Sequence, residues 1–136
     1  MPFMTWKDNL SVGVKQLDED HKNLVGMINE LHEAMRAGKG AATLDKILGG
    51  LVEYTKTHFA REEEFFKKTG YPQAASHRQE HEALTQRVTE VQNKHKAGTN
   101  GSLSIEVLDF LKDWLVKHIQ GSDQSYGPFL NSKGIY

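Results

Sequence analysis

The sequence predicts an all-α protein: an up-down-up-down antiparallel four-helix bundle with an N-terminal arm and a short C-terminal tail. Three observations predict it. Apolar residues recur at helical spacing in four segments, and nowhere is there a convincing strand-like alternation. The connections between the segments are short and rich in glycine or polar residues, which favours antiparallel neighbours. A length of 136 residues is one ordinary domain with a single core, so residues 1–136 are read as one unit without repeats.

Residues 1–17, with Trp6, read as an arm laid along the bundle. The first helix, about 18–37, places His21, Leu24, Ile28, Leu31 and Met35 on one stripe and ends at Gly38, a favourable residue for a helix C-terminus. The second, about 43–68, aligns Ile47, Leu51, Tyr54, His58, Glu62 and Phe65, and stops at Gly70-Tyr71-Pro72. Gly49 and Gly50 lie inside it, where each costs about 1 kcal/mol relative to alanine; the expectation is close approach of a neighbouring helix. The runs Arg61–Glu64 and Phe65–Lys68 read mostly as one solvated face, with only Glu62 on the stripe. The third helix, about 73–96, aligns His77, His81, Leu84, Val88 and Val91; the fourth, about 103–120, aligns Val107, Leu111, Trp114 or Leu115, and His118. The last dozen residues, with Gly127-Pro128 and Tyr136, read as an irregular tail.

Composition excludes several functions. A formal net charge of -1 and a pI near 6.7 leave no basic footprint for nucleic acid or anionic lipid. Without cysteine there is no disulfide framework, thiolate metal site or iron–sulfur cluster. No apolar run has the length of a signal peptide core or a bilayer span. The expectation is a soluble cytoplasmic protein, and a monomer, since no apolar face is left over.

Five of the seven histidines fall into a pattern with two carboxylates: His21, His58-x3-Glu62, His77-x3-His81 and His118-x4-Asp123. Residues four apart share a helix face, about 5–6 Å between Cβ atoms. His77 and His81 can therefore chelate one ion, and His58 and Glu62 can pair an imidazole with a carboxylate. His21 and the His77 pair lie early in odd helices, while the His58 pair and His118 lie late in even ones. In an up-down-up-down bundle those positions occupy the same end, so all seven side chains point inward at one level. The set is about right for two linked metal ions, and histidines with carboxylates suit iron, copper or zinc. A spacing of five turns about 140° on a regular helix. His118 and Asp123 can share a face only if the helix contains a π-bulge or unwinds around Gly121. His32 and His95 read as ordinary surface or helix-end residues.

At these residues the chain resembles the hemerythrin family, specifically its single-domain bacterial members. The resemblance also takes in the Gly13-Val14-x2-Leu17-Asp18-x2-His21 approach and Trp114-Leu115-x2-His118-Ile119-x3-Asp123. It implies two iron ions joined by an oxo or hydroxo bridge, one held by His77, His81 and His118 and the other by His21 and His58, with Glu62 and Asp123 bridging both. Dioxygen would bind reversibly at the open position of the two-histidine iron, walled by Leu24, Phe59, Trp114, Leu115 and Ile119. The implied role is intracellular oxygen storage or delivery to an oxygen-consuming enzyme, rather than catalysis. A sensor acting through a partner, and a di-iron enzyme handling peroxide or nitric oxide, are the alternatives.

Independently of that resemblance, oxygen-activating di-iron bundles typically carry four carboxylates and a repeated Glu-x-x-His motif. No Glu-x-x-His occurs in this chain, and His81-Glu82 does not continue to a histidine at position 85.

Overall fold

The computed structural model describes residues 3–39, 41–97 and 105–136. Its helices are α1 (Lys15–Arg36), α2 (Ala41–Thr69), α3 (Ala74–Lys96), α4 (Ile105–His118) and α5 (Gln124–Ser132), with a π-helical turn at Ile119–Asp123 between the last two. They form an antiparallel four-helix bundle in which α1 packs on α2, α2 on α3, and α4 back on α1. The fourth helix is interrupted rather than ended: α4, the π turn and α5 run on from one another.

Helix ends follow local chemistry. Gly38 and Gly70 each adopt φ +70°, and the residue after each donates its backbone N–H five residues back, Lys39 to Ala34 and Tyr71 to Phe66. Both are glycine-capped ends of the Schellman type. At the other terminus α1 begins at Lys15, three residues before the expected start. Asp18 is already helical and turns its side chain back on the arm, accepting from Ser11 Oγ (2.6 Å) and the Val12 N–H (2.8 Å). The arm is held further along by Asn29, which exchanges two 2.7 Å hydrogen bonds with the Met4 backbone. Of the expected fourth helix, residues 103 and 104 lie outside the described ones.

Three expectations need correction. The last dozen residues are largely helical rather than irregular, and Tyr126 and Leu130 within them are fully buried. Pro128 lies inside α5, where proline removes a backbone donor and crowds the preceding turn, a cost set against the burial of those side chains. Gly127 is there for space: a Cβ on it would lie 2.1 Å from the Val12 carbonyl oxygen, so the arm crosses α5 where only glycine fits.

Gly49 and Gly50 show no such approach. A Cβ on Gly49 would meet only the Gln92 side chain at an ordinary 3.5 Å, and one on Gly50 would meet nothing within 4 Å. On the charged run of α2, Phe66 is buried and Phe65 only partly so, which extends the apolar stripe beyond Glu62.

Candidate metal centre

The seven side chains reach one place from four directions. His21 comes from the early part of α1, His58 and Glu62 from the late part of α2, His77 and His81 from early α3, and His118 from the end of α4. Asp123 arrives through the π turn. The wider turn, with the Gln124 N–H bonded to the Ile119 carbonyl five residues back, brings positions five apart onto one face. His118 Nε2 consequently lies 3.0 Å from Asp123 Oδ1.

Asp123 sits in the middle of the set. Its Oδ1 is 2.8 Å from His77 Nε2, and its Oδ2 is 3.0 Å from His21 Nε2. Glu62 Oε1 lies 3.0 Å from His81 Nε2, 3.3 Å from His58 Nε2 and 3.9 Å from His77 Nε2. Potential ligand atoms fall into two overlapping groups, each within 4.8 Å: Glu62, His77, His81, His118 and Asp123 in one, and His21, His58, Glu62 and Asp123 in the other. Both carboxylates belong to both groups.

All seven residues are buried, yet most of the atoms facing the centre make no hydrogen bonds. His21, His77, His81 and His118 Nε2, Glu62 Oε1 and both Asp123 oxygens are without a partner of hydrogen-bond geometry. Buried polar groups are normally paired. Atoms that lie this close without hydrogen-bonding one another are aimed at shared points between them, which is the arrangement metal ligands require. Imidazoles and carboxylates together suit borderline cations, so the residues present fit a pair of metal ions.

Without a cation, protons hold the cluster together. Burial pulls the His77 imidazole towards neutrality, but Asp123 and Glu62 outweigh it and lift its pKa to about 9. His21 and His118 are likewise raised against their own burial, mainly by Asp123. Burial would raise the Asp123 carboxyl, yet the imidazoles of His118, His21 and His77 hold it well below its usual range.

Behind the converging atoms lies a set of partners that spacing alone does not identify. Nδ1–H of His58 donates to Asp20 (2.9 Å), that of His81 to Glu63 (3.3 Å) and that of His118 to Glu80 (3.3 Å). A carboxylate at Nδ1 fixes the tautomer and leaves Nε2 free for a cation. Tyr126, from the segment expected to be irregular, donates its hydroxyl to Glu62 Oε2. Each of these carboxylates adjoins a site residue in sequence: Asp20 precedes His21, Glu63 follows Glu62, and Glu80 precedes His81. That adjacency is the available signal, but each reaches a histidine on a different helix. His32, stacked on Phe3 at 4.3 Å, and His95, 3.3 Å from Asp45, stand apart from the centre.

The five expected pocket residues divide. Leu24, Phe59 and Leu115 line an almost wholly apolar cavity of about 30 Å³, together with Leu51, Leu84 and Leu111 among others. Trp114 does not line it; its ring stacks on His118 at 4.6 Å. Ile119 is fully buried beside the same histidine. Phe59 also stacks on His81 at 3.8 Å and so joins the cavity wall to the cluster.

The fold and the site together define a helical bundle whose core can hold metal ions. Residues 12–130 match the hemerythrin HHE cation binding domain, and the chain belongs to the hemerythrin family. It is 36% identical over 126 residues to a bacteriohemerythrin of Stenotrophomonas maltophilia, covering 93% of this chain and 80% of that one. With the Methylococcus capsulatus bacteriohemerythrin it shares 34% identity over 133 residues, covering 97% and 100%. A crystal structure of wild-type hemerythrin superposes with a TM-score of 0.86 at 35% identity, over 94% of this chain and 98% of that one. Among the described residues, no helix is long and apolar enough to cross a membrane.

Proposed function

We propose that the protein binds dioxygen reversibly at a di-iron centre, for storage or for delivery to an oxygen-consuming enzyme. His77, His81 and His118 would hold one iron, His21 and His58 the other, and Glu62 and Asp123 would serve both. When bound, the ferrous pair supplies the two electrons that reversible oxygen binding draws on. The observation that carries the reading is the apolar cavity. Its wall abuts the cluster: Leu24 lies one helical turn from His21, and Phe59 follows His58 in sequence and stacks on His81 at 3.8 Å.

The chain's own contribution is exclusion. Thr55 is the one hydroxyl on that wall, and it is turned away, donating to the Leu51 carbonyl (2.7 Å). A cavity of about 30 Å³ exceeds the ~10–15 Å³ that one water needs, but a cavity without polar partners stays dry. A dry wall keeps protons and water from the bound gas, which favours its return over its reduction. Neutral imidazoles in place of carboxylates leave the centre more positive, and this disfavours the high-valent iron that oxidation of C–H bonds needs.

Optical spectra over repeated oxygenation and deoxygenation test the reading, with peroxide release and iron content measured in parallel. Two irons per chain and many cycles without peroxide are expected. Stoichiometric peroxide release on each exposure to oxygen would make the protein an oxidase instead.

A further inference from the structure

We infer that Asp20 is a positioning residue that sets the donor strength of His58, and with it the balance between reduced and oxidised metal on the two-histidine side. The inference rests on His58 being a ligand, as proposed above. Asp20 is buried and belongs to neither group of potential ligands. Both of its oxygens are nevertheless fully engaged. Oδ2 accepts from His58 Nδ1 at 2.9 Å; Oδ1 accepts from the Tyr54 hydroxyl at 2.8 Å and from Arg61 at 2.6 Å. Tyr54 is held in turn by Asn23, whose amide donates to its hydroxyl at 2.9 Å.

Burying a carboxylate is costly unless it is paired and hydrogen-bonded. If the need were only to hold the His58 ring, a backbone carbonyl would do it without that cost. What a carboxylate adds is charge. A buried anion at Nδ1 draws the N–H proton towards itself and gives the imidazole imidazolate character, so Nε2 donates more strongly.

The other histidines are served differently. The carboxylates behind His81 and His118 stand farther off at 3.3 Å, and their side chains are 35% and 45% exposed, where water screens them. His21 Nδ1 is buried with no hydrogen-bond partner at all. The two imidazoles of the His21/His58 group therefore stand at opposite extremes, one backed by a buried anion and one by nothing. Arg61 completes the device. Its side chain is 35% exposed and its guanidinium offsets part of the Asp20 charge, so the pair acts as an anion with a cationic counterweight.

This arrangement predicts opposite responses from two neighbours. Asp20→Asn keeps the size and an amide oxygen that can accept from His58 but removes the charge. Arg61→Gln keeps a donor to Asp20 but removes the counterweight. Reduction potential and ferrous-ion affinity are measured on iron-loaded protein, the affinity by competition with a chromophoric chelator. Asp20→Asn should raise the potential and weaken ferrous binding about tenfold, within the usual range for loss of a partner behind a ligand. Arg61→Gln should lower the potential and tighten binding by a smaller factor, because the arginine is partly solvent-screened.

Shifts in the same direction, or no shift in either variant at full iron content, would overturn the inference, since a purely structural role gives no reason for opposite signs. If Asp20→Asn does not fold, Arg61→Gln decides alone: a lowered potential supports the inference, and an unchanged or raised one overturns it. His58→Ala separates this from the underlying reading. Full iron retention there would remove His58 as a ligand, whatever the two other variants show.

Discussion

Late α1, early α2, late α3 and early α4 contribute Leu31, Leu48, Val91 and Leu108 to one end of the bundle, all buried hydrocarbon. At the opposite end the same four-helix plan buries Asp20, His21, His58, Glu62, His77, His81, His118 and Asp123. The first end is stabilised by apolar transfer, about 1.5–3 kcal/mol for each fully buried aliphatic side chain. The second buries charge and imidazole against one another, which is weak evidence for stability without further compensation. One end of the molecule is thus built from hydrocarbon alone, while the other gathers groups that could hold a metal. Variants at the two ends should separate these roles.

The largest effect is expected from the ligand set. His77→Ala takes an imidazole from the chelating pair on α3, and His118→Ala takes the one that reaches Asp123 across the π turn. Each should lose most of its iron, measured as metal per chain in purified, iron-loaded protein. Two tightly bound irons remaining in both variants would end the distinction between the two ends.

Removing metal comes next. Structural metal binding is coupled to folding, so chelation should lower the unfolding temperature by roughly 10 °C or more, a loss of several kcal/mol in a domain of this size. Hydrogen exchange should rise at the ligand end first. The chelated protein should also acquire a pH dependence. His77, raised to about 9 by Asp123 and Glu62 against its own burial, stabilises the metal-free fold only while protonated. That contribution is complete below about pH 6.5, the unfolded value, and is lost as pH rises through 9. Melting temperatures of chelated protein should therefore fall from pH 6.5 to 9 by more than those of loaded protein. Parallel curves would mean that protons do not substitute for metal at this site.

At the far end the expectation reverses. Leu31→Ala should cost about 2–5 kcal/mol in chemical denaturation, the usual range for a fully buried leucine, while iron content and optical spectrum stay unchanged. A spectral change would show that the two ends are mechanically coupled.

The comparison also explains what is legible in the sequence. Helical periodicity and short connections are enough to place His21, His58, Glu62, His77 and His81 at one end. They also require a distortion between His118 and Asp123, which the π turn supplies. The partners behind the candidate ligands stay hidden because each lies beside a site residue in sequence but acts on another helix; Asp20 next to His21 bonds His58. Crossing distances of that kind depend on helix rotation, which periodicity does not specify. The C-terminal segment reads as irregular because Gly127 and Pro128 carry local breaker signals. The reason for Gly127 is tertiary: the Val12 carbonyl occupies the place of its side chain. Tyr126, and its bond to Glu62, goes unseen with that segment.

The smallest effect tests the boundary between the two ends, at the cavity. Leu24 lies one turn beyond His21 and lines the cavity, so its side chain belongs to the hydrocarbon core and, on the proposed reading, to the wall of the centre as well. As a packing residue alone, its loss would lower stability and nothing more. As part of a dry wall, its replacement by a hydroxyl would provide the polar partner that a water in the cavity requires. Water there brings protons, and protons favour loss of the bound oxygen as peroxide. Leu24→Ser should therefore speed autoxidation several-fold, equivalent to about 1 kcal/mol off the barrier, with iron content intact. Val91→Ser, buried at the far end, should destabilise the bundle without changing that rate. Autoxidation rates that match between wild type and Leu24→Ser at equal iron content would assign this side chain to packing alone.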